Sequence, residues 1–215
     1  VCGFAGILDF AGEAPTRGEL ESMIEPLRHR GPDDTQILGR ESVGLAHARL
    51  SIIDIEGGRQ PIHNEDESIW TVFNGEIFNY VELRAELKAK GHVFRTDSDT
   101  EVVVHAYEQW GLDFVHRFNG QWAIALWDGA RKRLVLARDR LGVRPLFYTS
   151  HGRRLFFASE IKGIFARPEI ERRLDRRALA SVFYFWSPLE PATMFANVHQ
   201  VPPGHLLVAE KGATS

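Results

Sequence analysis

A single thiol, Cys2, stands one residue from the start of the sequence, with no second cysteine to oxidise with it. A thiol at that place can carry its own base. If residue 1 is removed, the Cys2 α-amine is free, and an α-amine titrates at about 7.7–8.0, so it can take the thiol proton near physiological pH. The plainer reading is a small buried residue in a strand, a common fate of free Cys. Attack of a thiol on an amide creates an oxyanion, and Val72-Phe73-Asn74-Gly75-Glu76 offers donors for one. The Asn74 side-chain NH2 and the Gly75 backbone N–H, unhindered by a Cβ, suit a tetrahedral intermediate. Read for structure alone, Asn-Gly between apolar residues signals a tight hairpin turn. The helical texture that follows argues against a second hairpin strand.

Two charged residues suit an amino-acid ligand. Arg49, in His47-Ala48-Arg49-Leu50-Ser51-Ile52-Ile53, could clamp a carboxylate through two N–H groups. On its own it reads rather as a solvated Arg at a strand end. Asp99 follows Ser98 at a helix start. With Ser98 as the cap, Asp99 is free to hold an ammonium. Its bland role is a charge favourable to the helix N-terminus, worth about 0.3–1 kcal/mol. Arg28-His29-Arg30-Gly31-Pro32-Asp33 looks like a motif but also like ordinary helix termination, with basic residues before Gly and Pro. Asp139-Arg140-Leu141-Gly142 is most simply a turn with charged flanks.

The elements that must position these residues are legible in outline. Cys2 to Phe10 reads as a strand. Thr16 and Glu19 form a capping box, followed by Leu20, Met23, Ile24 and Leu27 at helical spacing, with a stop at Gly31-Pro32. Segments 43–49 and 69–73 read as strands. Asn79 with Glu82 is expected to cap a second helix ending near Gly91. Ser98 with Glu101 is expected to cap a third, with Val103, Ala106, Tyr107 and Trp110 on one face and a stop at Gly111. Short apolar runs at 122–127, 134–138, 145–148 and 155–158 follow, separated by turns such as Asp128-Gly129. Their unbroken apolarity means that both strand faces are covered. Asp175 should cap a helix through Phe183, and 205–208 reads as a last strand. Sheets covered on both faces, with several amphipathic helices, indicate a layered α+β fold; two packed sheets between helix layers would satisfy them.

Composition narrows the function classes. The chain has 215 residues, is 44% hydrophobic and carries a formal net charge of −3. Its basic residues are dispersed, which argues against a nucleic-acid partner. No apolar run approaches the ~20 residues that span a membrane, and the apolar start lacks the basic region of a signal peptide. One cysteine allows no intramolecular disulfide, so the expected compartment is cytoplasmic. One Cys and nine His without HExxH or HxH spacing give no metal motif, so no metal site is expected.

Taken in order, Cys2-Gly3-Phe4-Ala5-Gly6-Ile7, the 28–33 segment, Ala46 to Asp54, Asn74-Gly75-Glu76-Ile77-Phe78-Asn79, Ser98-Asp99-Thr100-Glu101 and Arg138 to Gly142 resemble the class II, N-terminal nucleophile, glutamine amidotransferases. The nearest likeness is to the glutaminase domain of glutamine-hydrolysing asparagine synthetases. The resemblance covers essentially all of residues 1–215, read as one glutaminase domain. It implies a four-layer αββα sandwich. It also implies roles: Cys2 as nucleophile, Asn74 and Gly75 as oxyanion hole, and Arg49 on the α-carboxylate of L-glutamine. Glu76 and Asp99 would lie on the α-amine side, with Leu50, Ser51, Ile52 and Ile53 lining the pocket. The reaction implied is amide hydrolysis to glutamate and ammonia through a thioester.

Two features depart from the family pattern. Val1 stands where an initiator Met is usual, and activity would require its removal. No SGG-x-D-S pyrophosphate loop occurs in these 215 residues. No cofactor is therefore expected here; ATP and Mg would belong to a synthetase domain or partner subunit, and a homodimer is compatible with the reading. Two alternatives stay open: a glutaminase serving another carboxylate acceptor, and a non-catalytic domain that only binds glutamine or scaffolds, as β-lactam synthetases keep the fold without the nucleophile.

Overall fold

The computed structural model describes residues 2–210 and 212–215, so the fate of Val1 lies outside the described residues. In chain order the strands are β1 (Gly3–Asp9), β2 (Asp34–Arg40), β3 (Val43–Arg49), β4 (Ile62–His63), β5 (Ile69–Ile77), β6 (Gly120–Asp128), β7 (Arg133–Arg138), β8 (Phe147–His151), β9 (Arg154–Ala158), β10 (His199–Gln200), β11 (Leu206–Glu210) and β12 (Ala213–Thr214). The helices are α1 (Arg17–Ile24), α2 (Tyr80–Ala89), α3 (Asp99–Trp110), α4 (Ile161–Ile164) and α5 (Arg176–Phe185). The strands form two sheets ordered β10-β8-β9-β1-β3-β2 and β12-β11-β7-β6-β5-β4. Every pairing is antiparallel.

Three apolar layers follow from the two-residue period of strands. Phe4, Leu8, Val43 and Leu45 meet Val72, Ala123, Ala125 and Trp127 between the sheets. The opposite face of the first sheet, with Ala5, Ile7, Ala46 and Ala48, packs on Leu20, Met23 and Ile24 of α1. The outer face of the second sheet, with Phe73, Ile124 and Leu126, packs on Leu83 and Leu87 of α2 and on Val102, Val103 and Ala106 of α3. The result is the expected αββα sandwich. No helix among the described residues is long and apolar enough to cross a membrane.

The Thr16–Glu19 capping box is present in both directions, and Leu27 is buried on a 3-10 turn, 25–30, that continues α1. Three expectations need correction. Asn79 precedes α2 but does not cap it; its amide bridges Arg117 O and Asn119 N instead. Ser98 caps α3 through Thr100 N–H, but Glu101 turns away and accepts from Arg95 N, Thr96 N and the Thr96 hydroxyl. The third concerns the strand read at 69–73, which does not stop before Asn74-Gly75. β5 runs straight through it to Ile77, with Asn74 opposite Ala123 and Gly75 opposite Trp122. β2 was not anticipated, because its residues are half-exposed at a sheet edge and show no apolar run.

Candidate active site

Strand register brings the site together. Phe4 on β1 and Val43 and Leu45 on β3 face the second sheet. By the same parity Cys2, His47 and Arg49 face it too, at one end of the sandwich. On β5, Val72 faces the first sheet, and so does Asn74 two residues on. Cys2 and Asn74 thus meet across the gap between the sheets and line one pocket with Arg49, Gly75, Glu76 and Asp99.

The nucleophile side is braced. Leu50 N–H donates to Cys2 Sγ at 3.3 Å, and the thiol reaches Leu50 O at 3.6 Å. Burial pushes the Cys2 thiol above its ordinary value; the Leu50 N–H and the Arg49 charge offset part of the rise. The 28–33 segment is more than a helix stop. Arg30 Nε donates to Cys2 O at 3.0 Å while Nη1 holds Glu160 at 2.8 Å. Gly31 packs so closely on β3 that a Cβ there would lie 2.2 Å from Ala48 C. Asp33 N–H donates to Arg49 O at 3.0 Å, and its carboxylate accepts from Ser51 N–H at 2.7 Å.

The opposite side is left open. The N–H groups of Phe73, Gly75 and Ile77 point away from β6, since alternate residues of a strand do so. Those of Phe73 and Ile77 are taken, by Gln60 Oε1 at 2.6 Å and Asp99 Oδ2 at 3.1 Å. The Gly75 N–H lies between them, facing the pocket. A Cβ on Gly75 would meet Gln121 O at 2.1 Å, so close strand approach, not a turn, requires glycine here. Asn74 is 1% exposed, and neither Nδ2 nor Oδ1 has a hydrogen-bond partner among the described residues. An amide buried this way costs about 1–3 kcal/mol. His47 lies beside it, kept neutral because burial pushes its pKa down to about 4. Its Nε2–H ties the two sheets by donating to Phe73 O at 3.2 Å.

Asp99 is buried at the head of α3, 4% exposed. Burial and the neighbouring Glu76 charge push its carboxyl up to about 6, against the pull of the Ile77 N–H. Glu76 itself is exposed at the rim. Arg49 lines the pocket, but its guanidinium already donates to the carbonyls of Ile53, Asp54 and Ile55 at 3.2, 2.5 and 2.8 Å. It is therefore not the free clamp that the sequence suggested; it shapes the 50–58 loop, leaving two of its five N–H groups. Leu50, Ile52 and Ile53 line the pocket, with Ile52 72% exposed. Ser51 does not line it.

The family of glutamine amidotransferase domains matches this chain over residues 1–215. The chain belongs to that family. The domain is 41% identical to glutamine-hydrolysing asparagine synthetase 3 of Bacillus subtilis over 215 residues, 98% of this chain and 35% of that protein. It is 42% identical to asparagine synthetase 2 of the same organism, over 96% of this chain and 28% of that one. It spans about a third of the length of these relatives. The solved glutamine phosphoribosylpyrophosphate amidotransferase of B. subtilis, complexed with ADP and GMP, superposes with a TM-score of 0.71 at 18% identity, over 100% of this chain and 48% of that one. That likeness shows a shared fold. The protein is a class II glutaminase-type domain related to those of asparagine synthetases.

The amidotransferase pocket also holds residues that the sequence did not single out. Gln60 lines it and links β5 to α3, accepting from Phe73 N and donating to Thr100 Oγ1 at 3.1 Å. Arg144 lines it with a buried Nε that has no partner among the described residues. Asp139 is far more than a flank of a turn. It is 1% exposed and accepts from the N–H groups of Trp122, Leu141, Val143 and Arg144, which fixes the loop carrying Arg144 against β6. No local pattern marks Gln60 or Arg144, whereas Asp139 belongs to the 138–142 segment and holds mainly its own loop.

Proposed function

We propose that this domain hydrolyses the side-chain amide of L-glutamine at Cys2, and that the ammonia passes to an ATP-dependent domain or subunit of asparagine-synthetase type. The observation that carries the reading is the buried, unpartnered Asn74 amide sharing a pocket with the thiol. Its desolvation cost is repaid when Nδ2 donates to an oxygen that turns anionic.

In this mechanism the Cys2 α-amine takes the thiol proton, and Sγ attacks the glutamine Cδ. The oxygen gathers charge between Asn74 Nδ2 and the Gly75 N–H. Collapse breaks the C–N bond, the held proton goes to the leaving nitrogen, and ammonia departs. Water then attacks the thioester as the amine takes its proton; collapse breaks the C–S bond, the amine returns the proton to sulfur, and glutamate leaves. The raised thiol pKa supports the need for a base, since little thiolate forms unaided. A peptide nitrogen is no base, so the active form begins at Cys2. Asp99 and Glu76 receive the α-ammonium, and the remaining N–H groups of Arg49 receive the α-carboxylate. The family match supports assigning residues 1–215 to this glutaminase unit; ATP and Mg act in the partner. A single thiol fits a cytoplasmic setting.

Labelling with the glutamine-analogue electrophile diazo-oxo-norleucine tests the reading. Modification is expected at Cys2 alone, in protein lacking Val1, with protection by glutamine. Labelling that glutamine does not slow would overturn it.

A further inference from the structure

Outside the glutamine pocket, α3 carries His105 and Glu108 three residues apart, on one helix face. His92 reaches the same spot from the segment between α2 and α3. One donor atom from each of the three lies within 4.8 Å of the others. Glu108 Oε2 is 2.9 Å from His105 Nδ1 and 3.5 Å from His92 Nδ1. Donors at about 2.0–2.2 Å from a tetrahedral ion stand roughly 3.3–3.6 Å apart. The spread of up to 4.8 Å must close by about 1 Å for these atoms to form a coordination shell.

Of the three atoms that would not coordinate, Glu108 Oε1 and His92 Nε2 are hydrogen-bonded and, among the described residues, His105 Nε2 is not. His105 Nε2 faces Glu101 Oε1 at 3.6 Å, and Glu101 is fixed by Arg95 N, Thr96 N and the Thr96 hydroxyl. Glu108 Oε1 accepts from Asn64 Nδ2 at 2.8 Å. His92 Nε2 lies 3.2 Å from Gln109 Oε1. Carboxylate and amide partners of this kind set the tautomer and orientation of metal-binding imidazoles. The His105 ring is fully buried and packs on Phe94 at a centroid distance of 4.5 Å, while His92 and Glu108 reach solvent and leave an entry path.

We propose that His92, His105 and Glu108 bind a divalent transition ion of zinc type, with the fourth position open to water. Such an ion would pin segment 92–96 to α3, the helix that presents Asp99 to the glutamine pocket. The His-x2-Glu pair with a His thirteen residues upstream forms no familiar local motif.

The competing arrangement is metal-free, with a proton on His105 bridging Glu101 and Glu108. Burial pulls the imidazole down, but the two carboxylates prevail and hold it up to about 9. An ion must displace that proton, so the test is run with the ion in excess. Chelator-washed protein carrying Cys2→Ala, which removes the thiol as a rival ligand, is titrated with Zn2+ by calorimetry and with Co2+ by visible absorption. One equivalent is expected to bind, with d–d bands of a four-coordinate nitrogen and oxygen site. His92→Ala and Glu108→Gln should each weaken binding by about tenfold or more, with circular dichroism unchanged. No binding with the ion in excess, or binding indifferent to both variants, would overturn the site.

Discussion

The segments around Cys2 and the strand that carries Asn74 treat their polar groups in opposite ways. Around Cys2 the groups are paired: the carbonyl by Arg30, the sulfur by Leu50, the adjoining loop by Asp33 and Arg49. Around Asn74 they are left waiting, with both amide atoms unpartnered and the Gly75 N–H aimed at the pocket. One side of the gap holds an atom still, and the other keeps donors vacant for a charge that exists only during reaction. Vacant donors are costly in the resting protein and useful in a transition state, because preorganised dipoles need no rearrangement when the charge appears. The contrast tells which residues to remove for loss of chemistry and which for loss of position.

The largest effect should come from the braced side. Cys2→Ala is expected to lower ammonia release by about 10⁴-fold or more, while calorimetry shows glutamine binding close to the parent. Equal loss of both would make the thiol a packing element and dissolve the contrast. On the open side, Asn74→Ala should lower kcat by about 10²–10³-fold. Its melting temperature should not fall, because the variant deletes an amide that has no partner. A lower melting temperature with near-normal turnover in the folded fraction would mean that Asn74 serves structure after all.

Asp99 sharpens the comparison through pH. Its carboxyl, held up to about 6, must be ionised to receive an ammonium. Glutamine affinity should therefore rise about tenfold per unit as pH climbs toward 6, and level off above. Asp99→Asn should bind weakly at every pH and lose this slope. The stability effect has the opposite sign. A carboxyl with a raised folded-state pKa takes up a proton on folding, so its share of stability is present at low pH and is lost as pH rises from about 4 through 6. At pH 7 the Asn variant should accordingly be more stable than the parent, by about 2–3 kcal/mol. Binding and denaturation series from pH 5 to 8 would show both trends. The smallest effect belongs to Ser51→Ala. Among the described residues its backbone N–H bonds Asp33 and its hydroxyl has no partner, and the residue stands off the pocket. Glutamine kinetics should stay within about twofold of the parent, and a larger change would return Ser51 to the substrate-lining set.

The sequence by itself determined what depends on near neighbours. The Thr16–Glu19 box, the Ser98 cap, the strands at 43–49 and 122–127, and the αββα layering were legible, because capping is written within a few residues and the resemblance drew on several ordered motifs. The chemical types at the site, a thiol with an amide and a carboxylate, were legible for the same reason. Only the tertiary structure decided how those groups are used. β5 passes through Asn74-Gly75 because Gln121 and Trp122 press against it from β6, a neighbour almost fifty residues away, which overrides the local turn preference. Arg30 turned out to hold Cys2, and Arg49 to hold its own loop, since a guanidinium goes to whichever carbonyls the fold brings within reach. His92 meets His105 and Glu108 through the packing of one segment on α3. Periodicity says which face a residue presents; what stands opposite that face is settled by strand order and helix packing, which a local pattern does not encode.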